Sequence, residues 1–332
     1  MKYDYLVFIG RFQPFHLGHR EVIDRALQLS NKVIVLVGGY GKARSPRNPW
    51  TFEERKEFIR SVYPTNRVNI KPLRDFTYND SLWLQSVQDI VHQTIKEEGT
   101  SYGVSSPKIG LIGCNKDHTS YYINLFPQWG NEAVEFVNPI NATDIRDSLF
   151  GFKYLLEDQL PTSVANIIRG QDYSDIAREY NYYSAYKKAF SNNAYETQHL
   201  TADAVVIQSG HILLVKRRAE PGKGLWALPG GFKNPTETFK QAALRELKEE
   251  TKIKVPLPVL EGSITATFDA DNPNRSERGV VVSKVFKFEL KPGELPKVKG
   301  SDDAEKARWV PLAELREDMM FEDHYHIIRE LV

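Results

Sequence analysis

The amino-acid sequence predicts a mixed α/β protein built from two domains that differ in their pattern of secondary structure. In the first 150 residues, short apolar runs such as Tyr5–Ile9 alternate with longer segments of helical period, the first of which starts at about His19. After His199 the pattern changes to closely spaced strands around one clear helix at about 238–250. A chain of 332 residues is long enough for two separate cores. We therefore expect a doubly wound parallel sheet followed by an α+β domain.

The elements of the first domain follow from its hydrophobic periodicity. Strands are predicted at Tyr5–Ile9, Val33–Val37, Val68–Ile70, Ile109–Ile112 and Val134–Val137, and helices from about residue 19 and at 53–62 and 82–97. Strands that alternate with helices form a parallel sheet with right-handed crossovers, which gives a Rossmann-like fold. Ligands of such sheets bind beyond the carboxyl ends of the strands, where the strand order reverses.

The remainder of the chain divides into a connector and a β-rich domain. Residues 173–190 are rich in tyrosine and have no runs of Gly, Ser or Pro, so we expect connecting helices instead of a flexible linker. Ser209-Gly210 is a hairpin signal between two apolar runs. Strands are expected at 204–207, 212–215, 259–268 and 280–288. The expected domain limits are 1–150, 151–198 and 199–332.

Composition excludes several classes of protein. The 44 Lys and Arg residues balance 43 Asp and Glu residues, which leaves no broad cationic surface for nucleic acid. The single cysteine, Cys114, excludes an intramolecular disulfide, and no segment approaches ~18 uninterrupted apolar residues. We expect a soluble cytoplasmic protein that acts on small molecules, with neither nucleic acid nor a membrane as partner. The sequence leaves the oligomeric state open, with a homo-oligomer as one option.

The segment Gly10-Arg-Phe-Gln-Pro-Phe-His16-Leu-Gly18-His19 joins the first strand to the first helix. Gly10 lets the backbone turn without a Cβ atom, and the N–H groups at the start of the following helix attract phosphate. His16 and His19 are three residues apart across the turn, so both imidazoles can face one bound anion. Arg11 adds a permanent cation. These residue types predict a phosphate site at the first strand–helix turn.

This segment resembles the nucleotidyltransferase superfamily, whose HxGH motif is seen here as His16-Leu-Gly18-His19. More narrowly, the ten-residue string is similar to the archaeal-type nicotinamide mononucleotide (NMN) adenylyltransferases. The likeness covers most of residues 1–150 and includes Arg47-Asn-Pro-Trp50 with Glu54-Arg55, Asn79 through Trp83, and Thr143-Asp-Ile-Arg146. It implies adenylyl transfer, in which the acceptor's phosphate attacks the α-phosphate of the substrate ATP and pyrophosphate leaves.

The resemblance also implies roles for individual residues. Adenylyl transfer needs no protein nucleophile, so catalysis consists of positioning and of stabilising charge on the phosphoryl oxygens. The donors expected around the triphosphate are Arg11, His16, His19, Arg47 and Arg146, with Gly10 and Thr143 as further contacts.

The acceptor pocket is implied by the same resemblance. Trp83 would stack on the nicotinamide ring with Asn79 beside it, although core packing of Trp83 is an open alternative. Asn115 and Lys116 would lie near adenosine or phosphate, with an ordinary turn as the alternative. Because the superfamily also makes CDP-alcohols and dephospho-coenzyme A, the acceptor is less firmly predicted than the reaction.

A glutamate-rich segment carries the strongest motif of the C-terminal third. Gly231 is followed after five residues by Glu237, and after seven more by Arg245-Glu246-Leu247-Lys248-Glu249-Glu250-Thr251-Lys252-Ile253. Glu246, Glu249 and Glu250 lie at i, i+3 and i+4, so their carboxylates share one face of a helix. Hard divalent cations relieve the repulsion between such groups, and Mg²⁺ held there would activate water and neutralise a diphosphate. A solvated amphipathic helix is the alternative.

This spacing resembles the box of the Nudix hydrolase family, G-x5-E-x7-R-E-U-x-E-E-x-G-U, in which U is aliphatic. Every specified position matches except one, where Lys252 stands in place of glycine. That glycine supplies a left-handed helix end, so a lysine should cost about 1 kcal/mol without removing a metal ligand. The resemblance implies Mg²⁺, or Mn²⁺ in its place, on Glu246, Glu249 and Glu250. An impaired site is the alternative.

A loop beyond the box bears on the substrate. Residues 268–283 are similar to a segment of ADP-ribose pyrophosphatases and their relatives. Arg275 and Arg278 of this loop are expected to clamp a phosphate or a ribose, with plain solvent exposure as the alternative.

The two motifs in this order, with a tyrosine-rich connector, resemble the bifunctional NMN adenylyltransferase/ADP-ribose pyrophosphatase proteins of bacteria. The implied reactions are ATP + NMN → NAD + pyrophosphate, and ADP-ribose + water → AMP + ribose 5-phosphate. Two alternatives stay open. The first keeps both folds but changes the acceptor and the nucleoside diphosphate derivative. In the second, the Nudix domain binds ADP-ribose or a dinucleotide as an effector without cleaving it.

Overall fold

The computed structural model describes residues 1–98, 107–113, 125–134 and 140–332. By its internal contacts the chain forms two compact units, Met1–Ala177 and Arg178–Val332. The first unit contains β1 (Tyr3–Gly10), α1 (Leu17–Leu29), β2 (Ser30–Val37), α2 (Phe52–Val62), β3 (Val68–Pro72), α3 (Asp80–Glu98), β4 (Ile109–Gly113), β5 (Gly130–Ala133), α4 (Ala142–Gly151) and α5 (Thr162–Arg169). Helix α6 (Ser174–Phe190) begins in this unit and continues into the next.

The first unit holds one parallel sheet with the strand order β3-β2-β1-β4-β5. The chain winds outward from β1 to β3 and then crosses back to place β4 on the other side of β1. The strand order therefore reverses between β1 and β4, and their carboxyl ends form the switch point at which ligands bind in such sheets. The predicted doubly wound, Rossmann-like fold is confirmed.

Both faces of this sheet are covered because side chains alternate along each strand. In β1, Leu6 and Phe8 pack into a cluster with α1, α2 and α5, whereas Tyr5 and Val7 pack into a second cluster with α3. All four side chains are buried. The sheet is thus fixed from two sides, and the loops at its carboxyl edge are held on a rigid support.

The second unit contains, after α6, β6 (Gln198–Gln208), β7 (His211–Arg217), β8 (Trp226–Ala227), β9 (Gly230–Phe232), α7 (Phe239–Thr251), α8 (Leu257–Gly262), β10 (Ile264–Ala270), β11 (Val280–Glu289), β12 (Ala304–Pro311) and α9 (His324–Leu331). Its sheet has the order β10-β11-β6-β7-β12, with β8 on β7 and β9 on β6. Only the β6–β11 pair is parallel among these ladders, so the sheet is mixed.

Three details differ from the sequence prediction. The fifth strand is Gly130–Ala133, whereas it was predicted at 134–137, of which 135–137 lie outside the described residues. The predicted strand at 259–268 is divided into helix α8 and strand β10, because Pro258 in the first turn favours a helix start over a strand. The single helix expected after His199 is accompanied by α8 and α9. Short apolar runs do not distinguish helix from strand, which explains the second error.

The segment 151–198 is largely helical, with α5 and α6, and the boundary between the two compact units falls inside α6.

Among the described residues, none of the helices combines the length and the apolar character needed to span a bilayer.

Glu179 of α6 is a buried carboxyl group whose ionisation should make stability depend on pH. Its Oε1 accepts the N–H of Gly222 at 2.8 Å, and burial raises its pKa to about 7 from 4.5. The folded state then holds a proton that the unfolded state loses, so the free energy of unfolding falls as pH rises from about 4.5 to 7, by on the order of 3 kcal/mol. Glu179→Gln keeps the acceptor and should be more stable than the wild type at pH 8 but not at pH 4.5. Urea unfolding of both proteins at several pH values measures this difference, and parallel curves would refute it.

Candidate active sites

His16 and His19 form the start of α1 at the carboxyl end of β1. The Nδ1 of His16 accepts the His19 N–H at 3.4 Å, and the Nδ1 of His19 accepts the His16 N–H at 3.3 Å. The two rings stack with centroids 3.6 Å apart. A neutral ring that accepts at Nδ1 carries its proton on Nε2, so each Nε2–H is a hydrogen-bond donor. The sequence prediction that both imidazoles can serve one anion is therefore consistent with this geometry.

The turn between β1 and α1 is joined to the start of α4. Arg146 donates to the Gln13 carbonyl at 2.6 Å and to the Thr143 hydroxyl at 3.1 Å. Asn141 caps α4 by accepting the Thr143 N–H. Residues 133 positions apart in sequence, Gln13 and Arg146, are thus in direct contact. The structure brings Thr143 and Arg146, two residues expected around the triphosphate, to the histidine turn.

Arg11 lies in a cluster of charges at the same edge of the sheet. Its Nη2 donates to Oδ2 of Asp75 at 2.9 Å, and Lys42 Nζ lies 2.8 Å from the same oxygen. The other oxygen, Oδ1, accepts the Gly39 N–H at 3.1 Å. These residues follow β1, β2 and β3, so three strand ends contribute to one cluster. Lys42 and Asp75 were not predicted from the sequence, although their position after the strands was the available signal.

Of the remaining residues predicted for the first site, the structure describes three and leaves two outside the described residues. Arg47 is half-buried in the loop before α2. The side-chain oxygen of Asn79 accepts the Leu82 N–H, which starts α3. Trp83 is half-buried and packs beside Phe126, with ring centroids 6.3 Å apart. Part of Trp83 therefore serves core packing, and its predicted stacking on a nicotinamide ring stays a prediction. Asn115 and Lys116 lie outside the described residues.

In the second unit, Arg245 organises the carboxylates around α7. Its guanidinium donates to both oxygens of Glu237 at 2.7 and 3.0 Å, to Glu246 at 2.8 Å and to Glu249 at 3.0 Å. It also donates to the Phe232 carbonyl at the end of β9. These bonds lower the pKa of Glu237 to about 2 and raise that of Arg245. The spacing of Glu237, Arg245, Glu246 and Glu249 thus closes a network that ties β9 to the helix.

Glu246 and Glu250 lie where α7 meets the two glycines of β9. A Cβ atom on Gly231 would lie 2.5 Å from the Oε1 of Glu246, so a larger residue there would displace this carboxylate. Glu250 accepts the Gly230 N–H at 3.0 Å. Burial raises the pKa of Glu250 to about 8, with the nearby Glu246 adding to the effect, and burial also raises the pKa of Glu246. Two crowded carboxylates are therefore held away from water.

These carboxylates are the groups that would hold a divalent cation. No three His, Cys, Asp or Glu side chains of the described residues are arranged so that they could hold a metal ion together. At α7, Arg245 binds Glu246 and Glu249, while Glu250 turns towards Gly230. The donor set nevertheless fits a hard cation, because Glu250 is a buried carboxyl group whose pKa is raised by burial, and a bound cation would stabilise its charged form.

Lys252 ends α7 in the left-handed conformation that the Nudix pattern assigns to glycine. Its φ and ψ are 47° and 30°, and its N–H donates to the Lys248 carbonyl. A lysine side chain is strained in this region, whereas glycine is not. Lys252→Gly should therefore raise the free energy of unfolding by about 1 kcal/mol. Urea unfolding measures the change, and a variant less stable than the wild type would contradict it.

The two predicted clamp residues of the 271–279 loop are used within the fold. Arg275 is buried and forms two hydrogen bonds of 2.9 Å with the carboxylate of Asp323. Arg278 donates to Glu322 at 3.2 Å and lies over the Phe232 ring at 5.9 Å. The alternative of plain solvent exposure does not describe Arg275, since a partner 48 residues away holds it in the interior. Contact of either arginine with substrate stays a prediction.

The fold and the two sites define an enzyme class: a nucleotidyltransferase joined to a Nudix hydrolase. A cytidylyltransferase-like family model matches residues 7–109, and a NUDIX domain model matches residues 197–331. The crystal structure of a bifunctional NMN adenylyltransferase/ADP ribose pyrophosphatase from Francisella tularensis superposes with a TM-score of 0.91 at 35% identity, covering 99% of this chain and 98% of that chain. A second structure of such a protein from F. tularensis, complexed with AMP and a Mn ion, gives a TM-score of 0.90 at the same identity and coverage.

Relatives of each half are known separately. A nicotinamide/nicotinic acid mononucleotide adenylyltransferase of Acinetobacter baylyi is 34% identical over 182 residues, which is 54% of this chain and 92% of that protein. An ADP-ribose pyrophosphatase of Methanocaldococcus jannaschii is 37% identical over 131 residues, which is 40% of this chain and 71% of that protein. The chain belongs to the family of bifunctional NMN adenylyltransferase/ADP-ribose pyrophosphatases.

Proposed function

We propose that the first unit transfers the adenylyl group of ATP to NMN and that the second hydrolyses ADP-ribose to AMP and ribose 5-phosphate. The observation that carries the first reaction is the stacked pair His16–His19 at the switch point, joined to Arg146 through the β1–α1 turn. The observation that carries the second is the pair Glu246–Glu250 against Gly230 and Gly231.

Adenylyl transfer requires donors for the charge that builds on the phosphoryl oxygens. The Nε2–H groups of His16 and His19 and the N–H groups at the start of α1 supply neutral donors. Arg11 and Arg146 supply cations from two sides of the turn. Rigid placement of these donors on the sheet edge aligns the acceptor phosphate with the α-phosphate, which is the main contribution that such a reaction needs. Trp83 and Asn79 would bind the nicotinamide moiety.

Hydrolysis requires a group that neutralises the diphosphate and lowers the pKa of a water molecule. We assign Glu246, Glu249 and Glu250 as ligands of Mg²⁺ or Mn²⁺, which would supply both functions when bound. Arg245 orients Glu246 and Glu249 by direct hydrogen bonds and fixes β9 against α7. The structure of the Francisella tularensis protein with AMP and a Mn ion supports a divalent metal and a nucleotide in this family.

One observation favours a second candidate function, in which the Nudix unit binds a nucleotide effector without cleaving it. Arg245 already neutralises Glu246 and Glu249, and Lys252 ends the helix that carries them in a left-handed conformation that is strained for a lysine. A site whose carboxylates stay paired with arginine would bind metal weakly. This candidate predicts ADP-ribose binding with no product.

Separate incubations of the purified chain with NMN plus ATP, the deamidated form of NMN plus ATP, and ADP-ribose, each with Mg²⁺ or Mn²⁺, test these functions. Chromatography of the products should show NAD from the first and AMP from the third. A folded protein that forms no NAD would refute the adenylyl transfer. A protein that binds ADP-ribose in calorimetry but releases no AMP would support the effector role. A cytoplasmic location belongs to the same proposal.

A further inference from the structure

Arg55, on α2, is a charged side chain enclosed in the core of the first unit. It is 1% exposed, and α2 also carries Phe52, Phe58 and Ile59 of the apolar cluster. Burial and the neighbouring Arg11 lower the pKa of Arg55 to about 10, so the guanidinium keeps its charge at neutral pH. Charged groups are rarely buried completely unless something specific holds them, because removal from water is costly.

The hydrogen bonds of Arg55 run to backbone carbonyls. Its Nη1 donates to the Arg11 carbonyl at 2.7 Å and to the Gly38 carbonyl at 2.6 Å. Its Nη2 donates to the Gly39 carbonyl at 3.4 Å, and its Nε donates to the Thr51 carbonyl at 3.2 Å. One planar cation thus joins the turn after β1, the turn after β2 and the start of α2.

The joined turns are those that place Arg11. The Gly38 N–H donates to the Gly10 carbonyl at 2.8 Å, so the turns after β1 and β2 are in contact. Gly39 has a φ of +68°, and a Cβ atom there would lie 3.3 Å from Nη1 of Arg11. The guanidinium of Arg11 therefore lies against the Gly39 backbone. Arg55 fixes the same backbone through its hydrogen bond to the Gly39 carbonyl. Asp75 completes the support by binding both Arg11 and the Gly39 N–H.

We propose that Arg55 is a positioning residue of the adenylyl-transfer site, which fixes the backbones of Arg11, Gly38 and Gly39 so that Arg11 meets the triphosphate of ATP. This inference rests on the adenylyl transfer proposed above. Arg55 itself touches no reacting group, because its guanidinium donates its hydrogen bonds to backbone carbonyls of the two turns and of the start of α2. Its removal lets the Arg11 turn move, and displacement by about 1 Å can cost on the order of 100-fold in rate.

Arg60 provides a matched control on the same helix. Its guanidinium also donates to backbone carbonyls, those of Tyr63 and Thr65 at 3.2 and 2.6 Å and that of Val68 at 3.1 Å. These carbonyls lie after α2 and at the amino end of β3, whereas the strand ends that form the site are carboxyl ends. Arg60→Met therefore removes the same kind of bond without touching the site.

The experiment compares Arg55→Met, Arg55→Lys and Arg60→Met in the full chain. For Arg55→Met we expect kcat/KM for ATP to fall by about 10- to 100-fold, with a smaller loss for Arg55→Lys, which keeps the charge and part of the bonding. ADP-ribose hydrolysis by the same preparations should stay within about twofold of the wild type. Arg60→Met should lower the unfolding midpoint and leave both activities within the same range.

Several outcomes would overturn the proposal. They are a normal kcat/KM for ATP in Arg55→Met, an equal loss in Arg60→Met, or a parallel loss of both activities. If Arg55→Met does not fold, Arg55→Lys decides by the same criterion. If the wild type makes no NAD, the proposed reaction fails, and calorimetric ATP binding still tests the positioning role: unchanged affinity in Arg55→Met refutes it, and weakened affinity with Arg60→Met unchanged supports it.

Discussion

Replacing Glu249 by Gln should lower ADP-ribose hydrolysis by on the order of 1,000-fold and leave NAD synthesis unchanged. A bound divalent cation contributes several kcal/mol to phosphoryl chemistry, and each 1.4 kcal/mol is a factor of about ten in rate. Gln keeps the volume and the helix but removes one of three charges that the cation needs. Glu249 is the most exposed of the three and bonds to Arg245, so its loss should have little effect on stability. The rate of AMP release at saturating Mg²⁺ measures the effect.

Glu261→Gln is the matched control, because Glu261 is an exposed carboxylate of α8 in the same unit. It should leave both activities unchanged. NAD synthesis by Glu249→Gln reports that the first unit is folded, and urea unfolding of the variant reports on the second unit. Hydrolysis within a few-fold of the wild type would show that Glu249 binds no essential metal. If the wild-type chain already releases no AMP, the effector role is favoured.

The chemistry of both sites could be predicted because it lies in short stretches of sequence. Helix periodicity places Glu246, Glu249 and Glu250 on one face, and a turn of three residues brings His16 to His19. The left-handed end at Lys252 was also readable, since a fixed spacing assigned that conformation to one position. Local rules of this kind need no knowledge of the tertiary fold.

The supports of the sites could not be predicted, because they depend on contacts between distant segments. Asp75 reaches Arg11 across 64 residues, and Arg55 reaches the Arg11 carbonyl across 44. Arg275 was expected to clamp a phosphate or a ribose, which stays a prediction, and its pairing with Asp323, just before α9, could not be read from the sequence. A loop arginine has the same sequence signature whether it binds a ligand or a buried carboxylate. Only the packing of the fold distinguishes the two cases.

His16→Asn should lower NAD synthesis by about 100- to 1,000-fold, which is the usual effect of removing one donor to a developing oxyanion. The substitution separates two roles of His16. As the N-cap of α1, His16 accepts the His19 N–H, and asparagine performs that role at least as well. As a phosphate donor, it presents Nε2–H beyond the helix end, and the shorter asparagine cannot reach that position. The loss should therefore appear in catalysis with little loss of stability.

His92→Ala is the control for this substitution, because His92 is an exposed histidine of α3 in the same unit. ADP-ribose hydrolysis should be unchanged in both variants. If His16→Asn retained NAD synthesis within a few-fold, His16 would be a structural cap only, and the donors would reduce to His19, Arg11 and Arg146. If it instead lost stability together with activity, the stacked pair with His19 would be required for the fold of the turn. We expect a variant whose helix is still capped but whose NAD synthesis is lost. This result would show that the His16 ring caps α1 through Nδ1 and donates to the substrate through Nε2.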